Sequence, residues 1–325
     1  MAISDQVKVG SGYVPRTDGA VVIADIDLAG KTAIVTGGYS GIGLETVRAL
    51  AAKGVRVVVP VRDPARAADA LADVPGAVEM ATLDLGNIAS VRAFAADMAA
   101  TLDRLDIVIN NAGIMATPET RVGPGWESQF GTNHLGHMAM VLGLMDLITR
   151  TEGARVVALS STGHKRSDIR WDDVHFTGGD YEKWNAYGQS KTANALFANA
   201  LSRRLQPTGG LAFAVHPGGI FTPLQRHLTI EEQVMMGWTN PDGTPSEMAK
   251  RGFKTTQQGC STSLWAATSP LLAGKPGVYC EDLDIAVPTN VEAPTARFTG
   301  VDPHACDDAS AERLWDVSMA MLAAV

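Results

Sequence analysis

Apolar runs of strand length alternate with amphipathic helical segments over most of this 325-residue chain, and this alternation constrains the fold most strongly. Several runs, such as 55–59 and 155–159, are apolar almost throughout, as expected when helices cover both faces of a sheet. Strands separated by helices are connected by right-handed crossovers and therefore lie parallel. We predict a doubly wound α/β fold with a mostly parallel seven-stranded sheet flanked by helices on both faces.

The predicted elements fall at regular intervals. Strands are predicted at 32–36, 55–61, 77–83, 105–110, 154–160, 211–216 and 276–280. Helices are predicted at 41–53, 64–73, 87–102, 126–150, 183–205, 257–269 and 309–322.

Two parts of the chain depart from this alternation. Residues 1–27 are predicted to be an N-terminal extension, and residues 28–325 a single Rossmann-like catalytic domain. Within that domain, residues 222–256 mix prolines with large apolar residues and are predicted to form a substrate lid. The alternative is a surface hairpin that packs on the body of the domain. Met235, Met236, Trp238, Phe221 and Leu224 are the apolar candidates for the pocket wall.

A glycine-rich motif at residues 36–43, with the spacing T-G-x-x-x-G-x-G, follows the first predicted strand and precedes the first helix. Glycines let backbone amides approach a pyrophosphate, and the helix N-terminus adds a partial positive charge. The alternative is a tight turn that needs glycine only for its backbone dihedral angles. Because the motif lies between a strand and a helix, we expect it to bind a dinucleotide.

A tyrosine and a lysine four positions apart, Tyr187 and Lys191, fall on one face of the predicted helix 183–205. The unperturbed pKa of tyrosine is about 10, so its hydroxyl transfers protons poorly at neutral pH. An ammonium group one turn away would favour the phenolate and lower that pKa. We therefore expect proton-transfer chemistry here, although the same spacing also arises by chance on surface helices.

Charge and cysteine content exclude several classes of partner. With a net charge of −8 and an isoelectric point near 5.4, the chain is not expected to bind nucleic acid or anionic membranes. Cys260, Cys280 and Cys306 lack metal-ligand spacing and are expected to be free thiols. No stretch reaches the ~20 apolar residues of a membrane span. The sequence thus predicts a cytoplasmic protein without a metal site that acts on a small molecule.

Further motifs follow the later strands in a defined order. In chain order the motifs are residues 36–43, Asp84-Leu85, residues 110–113 (N-N-A-G), Asn133 within N-H-L-G-H, Ser160-Ser161, Tyr187 with Lys191, and residues 216–222. This order resembles the short-chain dehydrogenase/reductase family over about residues 28–290. Within the family, N-H-L-G-H and the long connection after Ser161 resemble the retinol-dehydrogenase and WW-domain-oxidoreductase branch.

The resemblance implies a catalytic set. Tyr187 would transfer the proton, and Ser161 would stabilise the charge that develops on the substrate oxygen. Lys191 would lower the Tyr187 pKa and bridge the nicotinamide ribose hydroxyls. Asn133 would hold a water that links Lys191 to solvent. The separation of 26 positions between residues 161 and 187 is longer than in compact members, which leaves Ser160 as an alternative to Ser161.

The resemblance also implies a set of residues that hold the cofactor. They are Thr36, Gly37, Tyr39, Ser40, Gly41, Ile42, Gly43, Arg62, Asp84, Leu85, Asn110, Ala112, Gly113, Tyr187, Lys191, Pro217, Gly218, Ile220 and Thr222. Asp84 would accept from the adenine amino group, or it would instead cap the helix that begins near Asn87. Asn110 is also expected to tie neighbouring strands. His164 and His216 are expected to be structural.

The end of the second strand bears on the choice of cofactor. An NAD-selective enzyme places an acid there to hold the ribose hydroxyls, but this chain has Val61 followed by Arg62. An arginine suits a 2′-phosphate, although Arg62 could instead be a solvated residue paired with Asp63. No basic residue lies within the glycine loop, where many NADP-selective relatives carry one. We predict NADP(H) as the cofactor.

The predicted function is therefore NADP(H)-dependent interconversion of a carbonyl, ketone or aldehyde, and an alcohol, on an apolar or aromatic substrate. One alternative is a dinucleotide-binding sensor or scaffold with little catalysis, and another is an NAD-preferring alcohol dehydrogenase. An epimerase or dehydratase is disfavoured by the glycine spacing and by the Asn133 and Ser161 arrangement. The resemblance also allows a homodimer or homotetramer through helices 126–150 and 183–205.

Overall fold

In the computed structural model, which describes residues 2–325, an eight-stranded sheet runs through the centre of the molecule. Its strands are β1 (Thr32–Val35), β2 (Arg56–Val61), β3 (Val78–Thr82), β4 (Ile107–Asn110), β5 (Arg155–Leu159), β6 (Leu211–His216), β7 (Tyr279–Glu281) and β8 (Asp284–Ile285). They lie in the order β8-β7-β6-β5-β4-β1-β2-β3, and only the β7–β8 pair is antiparallel. The seven predicted strands are confirmed, and β8 is a short antiparallel addition at one edge.

Helices lie on both sides of the sheet. The longer ones are α1 (Gly41–Ala52), α2 (Pro64–Leu71), α3 (Ile88–Thr101), α4 (Gly136–Gly143), α5 (Met145–Arg150), α6 (Lys183–Leu205), α7 (Ser261–Thr268) and α8 (Asp308–Ala323). Successive strand residues point to opposite faces, so Val58 joins one buried apolar cluster while Val57 and Val59 join the other. This double burial explains why the central strands are apolar almost throughout, and it confirms the predicted doubly wound fold.

The predicted helix 126–150 is not continuous. A short hairpin strand (Trp126–Glu127) is followed by one helical turn (Ser128–Phe130), a π-helix (Gly131–Leu135), and then α4 and α5. Gly136 explains part of the tight packing here, since a Cβ at this position would overlap the Leu85 carbonyl oxygen. π-Helical turns are rare and concentrate at functional sites. This one contains Asn133.

The N-terminal segment packs on the body of the molecule. Val22, Ile23 and Leu28 are buried in the same apolar cluster as β1 and α7. The backbone amides of Val9 and Gly10 donate to the Asp284 carboxylate at 2.8 and 3.1 Å. Across the described residues, no helix combines the length and the apolar character needed to cross a membrane.

Candidate active site

A cavity of about 1660 Å³ opens where the parallel strands end at their carboxyl termini. It lies beside β1, the strand at which the sheet order changes direction between β4 and β2. Ligands of doubly wound sheets bind at this switch point. The cavity exceeds the roughly 300–1,000 Å³ of most small-molecule pockets, so it offers room for a cofactor together with a substrate.

The glycine loop and the loop after β4 are hydrogen-bonded to each other. The Thr36 hydroxyl accepts from the backbone amides of Asn111 and Ala112 at 2.9 and 3.0 Å. The Asn111 side-chain amide donates to the Thr36 carbonyl at 2.7 Å. Asn111 therefore makes the tie that was predicted for Asn110. The Asn110 side chain is buried and has no hydrogen-bond partner among the described residues.

The lining of this loop fits a dinucleotide. Gly37 has a φ of +66°, which favours glycine, and a Cβ on Gly43 would overlap the Gly37 carbonyl. In this loop no side chain covers the backbone amides at the N-terminus of α1, and these amides lie close to the cavity. An anionic pyrophosphate needs such uncovered amide donors. Of the predicted cofactor residues, those that line the cavity are Thr36, Gly37, Tyr39, Ser40, Gly41, Ile42, Arg62, Asp84, Leu85, Ala112, Gly113, Tyr187, Lys191, Pro217, Gly218, Ile220 and Thr222. The other two predicted residues, Gly43 and Asn110, do not line the cavity.

Tyr187 and Ser161 meet at the other end of the cavity. Gly163 lies between them, since a Cβ there would be 2.7 Å from the Tyr187 ring and 3.4 Å from Ser161 Oγ. Burial raises the pKa of Tyr187 to about 12, and a hydrogen bond with Ser161 acts in the opposite direction. The phenol therefore holds its proton across neutral pH, as a proton donor must.

Lys191 lies one turn from Tyr187, as predicted, but it does not contact the phenol oxygen. Its ammonium donates to the Leu159 carbonyl at 3.0 Å and lies 5.5 Å from the centre of the Tyr187 ring. Burial lowers the pKa of Lys191 to about 8. The expected lowering of the Tyr187 pKa by Lys191 is thus not found: burial raises this pKa, and Ser161 rather than Lys191 is the group that lowers it.

The two serines at the end of β5 point in different directions, as alternation along a strand requires. The Ser160 hydroxyl is buried and donates to the Lys191 carbonyl at 2.8 Å, which fixes it against α6. Ser161 Oγ accepts from the Gly163 amide at 3.0 Å and stays beside Tyr187. Of the two, Ser161 is therefore the one placed to reach a substrate oxygen.

Asn133 is fully buried, and its amide is committed to neighbouring groups. Its Oδ1 accepts from the Ile114 amide at 2.9 Å, and its Nδ2 donates to the Ile114 carbonyl at 2.9 Å and to Ser190 Oγ at 3.0 Å. These bonds join the loop after β4 to α6 and displace the side chain from the cavity lining. The geometry supports a positioning role for Asn133, and the predicted water-holding role stays a prediction.

His137 connects Asn133 to the glycine loop, a link that the sequence analysis missed. Its Nδ1 lies 2.9 Å from the Asn133 carbonyl, and its Nε2 lies 2.8 Å from the Thr36 hydroxyl. Burial lowers the pKa of His137 to about 4, so the ring is neutral. A carbonyl only accepts, hence Nδ1 carries the proton and Thr36 donates to Nε2. The second histidine of N-H-L-G-H was the available signal.

A second buried histidine, His164, is hydrogen-bonded to the backbone of Ser161. His164 Nδ1 donates to the Ser161 carbonyl at 2.6 Å, and the Tyr279 hydroxyl donates to the same carbonyl at 3.2 Å. His164 Nε2 accepts from the Asp302 amide at 3.1 Å. Burial lowers the pKa of His164 to about 4, consistent with this neutral tautomer. The structural role predicted for His164 thus includes linking the chain around Asp302 to the backbone of Ser161.

Two alternatives from the sequence are resolved by local contacts. Asp63 does not pair with Arg62, because its carboxylate caps α2 by accepting from the Ala65 and Arg66 amides at 3.1 and 3.3 Å. Asp84 is not a helix cap, since Asn87 accepts the capping bonds of α3. Arg62 and Asp84 both line the cavity.

The segment 222–256 forms one wall of the cavity. It contains a 3₁₀ turn (Pro223–His227) and two short helices (Ile230–Met235 and Glu247–Gly252). Trp184 contacts Tyr187 edge-on at 6.2 Å and Trp238 at 6.3 Å between ring centres, and Trp238 contacts Phe253 at 5.8 Å.

The predicted apolar candidates of this segment divide into two groups. Leu224, Met236 and Trp238 line the cavity. Met235 is 80% exposed, and Phe221 packs on Phe253 instead. The part of the cavity next to Tyr187 is therefore largely apolar and aromatic.

Comparisons with known proteins agree with this architecture. The short chain dehydrogenase family model matches residues 31–233. A protein from Streptomyces lividans named "Probable oxidoreductase" is 41% identical over 304 residues, which cover 92% of this chain and 100% of the relative. Retinol dehydrogenase 12 from Mus musculus is 35% identical, covering 94% of this chain and 90% of the relative. A crystal structure of an uncharacterized Mycobacterium Paratuberculosis protein has a TM-score of 0.68 and 32% identity, covering 92% of this chain and 96% of that one.

Proposed function

We propose a specific reaction from the premise that this chain belongs to the short-chain dehydrogenase/reductase family and is an oxidoreductase of the retinol-dehydrogenase branch. The reaction is NADP(H)-dependent interconversion of a carbonyl and an alcohol on an apolar or aromatic substrate. The observation that carries the proposal is the placement of Tyr187 and Ser161 around Gly163, in the same cavity as the glycine loop.

In this proposal the chain supplies positions and a proton. A nicotinamide cofactor bound along the cavity supplies or accepts the hydride. During reduction, the Tyr187 hydroxyl donates its proton to the carbonyl oxygen, and Ser161 donates a hydrogen bond to the same oxygen as negative charge develops. The Lys191 ammonium adds positive charge next to Tyr187 and would bind the ribose hydroxyls of the cofactor. Asn133 and His137 hold the loop after β4, the glycine loop and α6 in fixed positions relative to one another.

The reaction is tested by following NADPH consumption with a panel of ketones and aldehydes that ranges from short aliphatic to aromatic compounds. The aromatic wall formed by Trp184, Trp238 and Phe253 favours the larger apolar members of the panel. Turnover with such substrates supports the proposal. Tight NADPH binding without turnover of any carbonyl or alcohol would instead favour the sensor or scaffold alternative.

Alanine substitutions at Ser160 and at Ser161 should have unequal effects. Ser161→Ala removes the hydroxyl beside Tyr187, so we expect turnover to fall by ~10²-fold or more, as on loss of an oxyanion donor. Ser160→Ala removes the bond to the Lys191 carbonyl, so we expect its main effect in the thermal midpoint. Steady-state kinetics and thermal melts of both variants provide the measurement. A larger loss of turnover in Ser160→Ala, at unchanged stability, would assign the role to Ser160.

The cofactor preference should depend on Arg62. We expect NADPH to bind roughly tenfold or more tightly than NADH, since a charge-assisted phosphate contact is worth about 1.5–3 kcal/mol. Arg62→Ala should remove most of that difference and leave NADH affinity nearly unchanged, as measured by fluorescence titration. Equal affinities in the parent protein would contradict the NADP(H) assignment.

A further inference from the structure

Three arginines from separate parts of the chain line the cavity beside Tyr39. Arg62 follows β2, Arg66 lies in the first turn of α2, and Arg226 lies in the 3₁₀ turn that begins the segment 222–256. Burial lowers the pKa of Arg226, and the positive charges of Arg62 and Arg66 lower it further. The three guanidinium groups therefore share one local environment.

No carboxylate among residues 2–325 forms an ion pair with any of these three arginines. The nearby Asp63 is used to cap α2. Within that part of the chain, the one hydrogen bond of the Arg226 guanidinium goes to the carbonyl of Pro223, in its own turn, at 3.1 Å. Like charges held together without an acid repel one another, and an anion bound among them would reverse that unfavourable energy. Planar guanidinium groups are suited to the oxygens of a phosphate.

The turn that carries Arg226 is held firmly above the glycine loop. A Cβ on Gly41 would lie 3.2 Å from the Thr222 methyl group, so the turn starts in contact with the N-terminus of α1. Gln225 ties the turn back by donating to the Ile220 carbonyl at 2.8 Å and accepting from the Thr222 amide at 2.9 Å. The position of Arg226 is thus set relative to the cofactor-binding loop.

We propose that Arg226, with Arg62 and Arg66, forms a site for a phosphate monoester on the adenosine ribose, and that this phosphate fastens the beginning of the lid. The inference rests on the proposed NADP(H) function and goes beyond it, because it assigns cofactor selectivity to the same segment that walls the substrate pocket. Cofactors with and without the phosphate then differ in how firmly they hold residues 222–256.

Binding of adenosine 2′,5′-bisphosphate and of 5′-AMP tests the site without any turnover. Arg226→Gln should weaken the bisphosphate by roughly fivefold or more and change 5′-AMP by less than twofold. Arg226→Lys keeps the charge and should retain part of the difference. Arg251→Gln is the matched control, because it removes the same charge from the same segment but lies outside the cavity lining. Its affinities for both probes should equal those of the parent.

Hydrogen exchange of the full chain tests the link to the lid. NADPH should protect residues 222–256 more than NADH does, and Arg226→Gln should remove the extra protection. If the parent binds NADPH and NADH equally, the cofactor assignment fails and the phosphate site fails with it. A second outcome is that the parent prefers NADPH and Arg62→Ala erases that preference, but Arg226→Gln changes neither bisphosphate affinity nor protection. In that case the proposed role of Arg226 is refuted, and the cofactor assignment stands.

Discussion

Tyr187→Phe is expected to lose nearly all turnover, by about 10²–10⁴-fold, while it binds cofactor almost as the parent does. The substitution removes only the phenol oxygen from a buried ring that keeps its contacts with Trp184 and Gly163. The proton donor is lost, and the shape of the pocket is preserved. Steady-state kinetics with the best carbonyl of the panel, together with NADPH titration, provides the measurement.

The control for this prediction is Tyr181→Phe. Tyr181 is half-buried, and its hydroxyl donates to the Thr117 carbonyl at 2.9 Å, but it does not line the cavity. Loss of that hydroxyl should lower stability and leave turnover within a few-fold of the parent. Substantial carbonyl reduction by Tyr187→Phe would show that another group supplies the proton.

Lys191→Met is expected to impair both cofactor binding and rate, and to lower kcat/KM by on the order of 10²-fold or more. The change removes a positive charge one turn from Tyr187 and keeps a side chain of similar length. The Leu159 carbonyl, which Lys191 contacts, keeps a second donor in Asn194 at 2.8 Å. Kinetics and NADPH titration separate the two effects. Lys250→Met, at an exposed position of the short helix Glu247–Gly252, should change neither quantity.

The same variant should be more stable than the parent at pH 7. Burial lowers the pKa of Lys191 to about 8, whereas its ordinary value is 10.5. Below pH 8 the ammonium is charged in both folded and unfolded chains, so the folded protein bears the full cost of burying it. As pH rises from 8 to 10.5, the folded chain loses this proton first, and stability increases relative to that at pH 7. Thermal melts should therefore show a gap between Lys191→Met and the parent that narrows toward pH 10. An equal gap at both pH values would contradict the buried charge.

The sequence by itself determined the architecture, and most of the residues that it predicted to hold the cofactor line the cavity. Continuous apolar runs are buried on both faces only in a sheet covered by helices, so strand positions and the doubly wound class followed from composition and period. Tyr187 and Lys191 share a helix, and the glycine loop lies between a strand and a helix, so local spacing was sufficient for both. Alternation along β5 also separated Ser160 from Ser161.

Only the tertiary structure decided how these local pieces act on one another. The Tyr187 pKa is raised by desolvation, which distant segments provide, and the lysine one turn away does not lower it. Asn111 rather than Asn110 ties the loops, because the choice depends on which side chain faces β1. The bonds of His137 to Thr36 and of His164 to Ser161 and Asp302 join residues as far as 138 positions apart. Arg226 and Arg62 line the same cavity because the turn after Thr222 starts against the glycine loop. Such contacts depend on where separate strands end in space, and no period or motif within one segment encodes that.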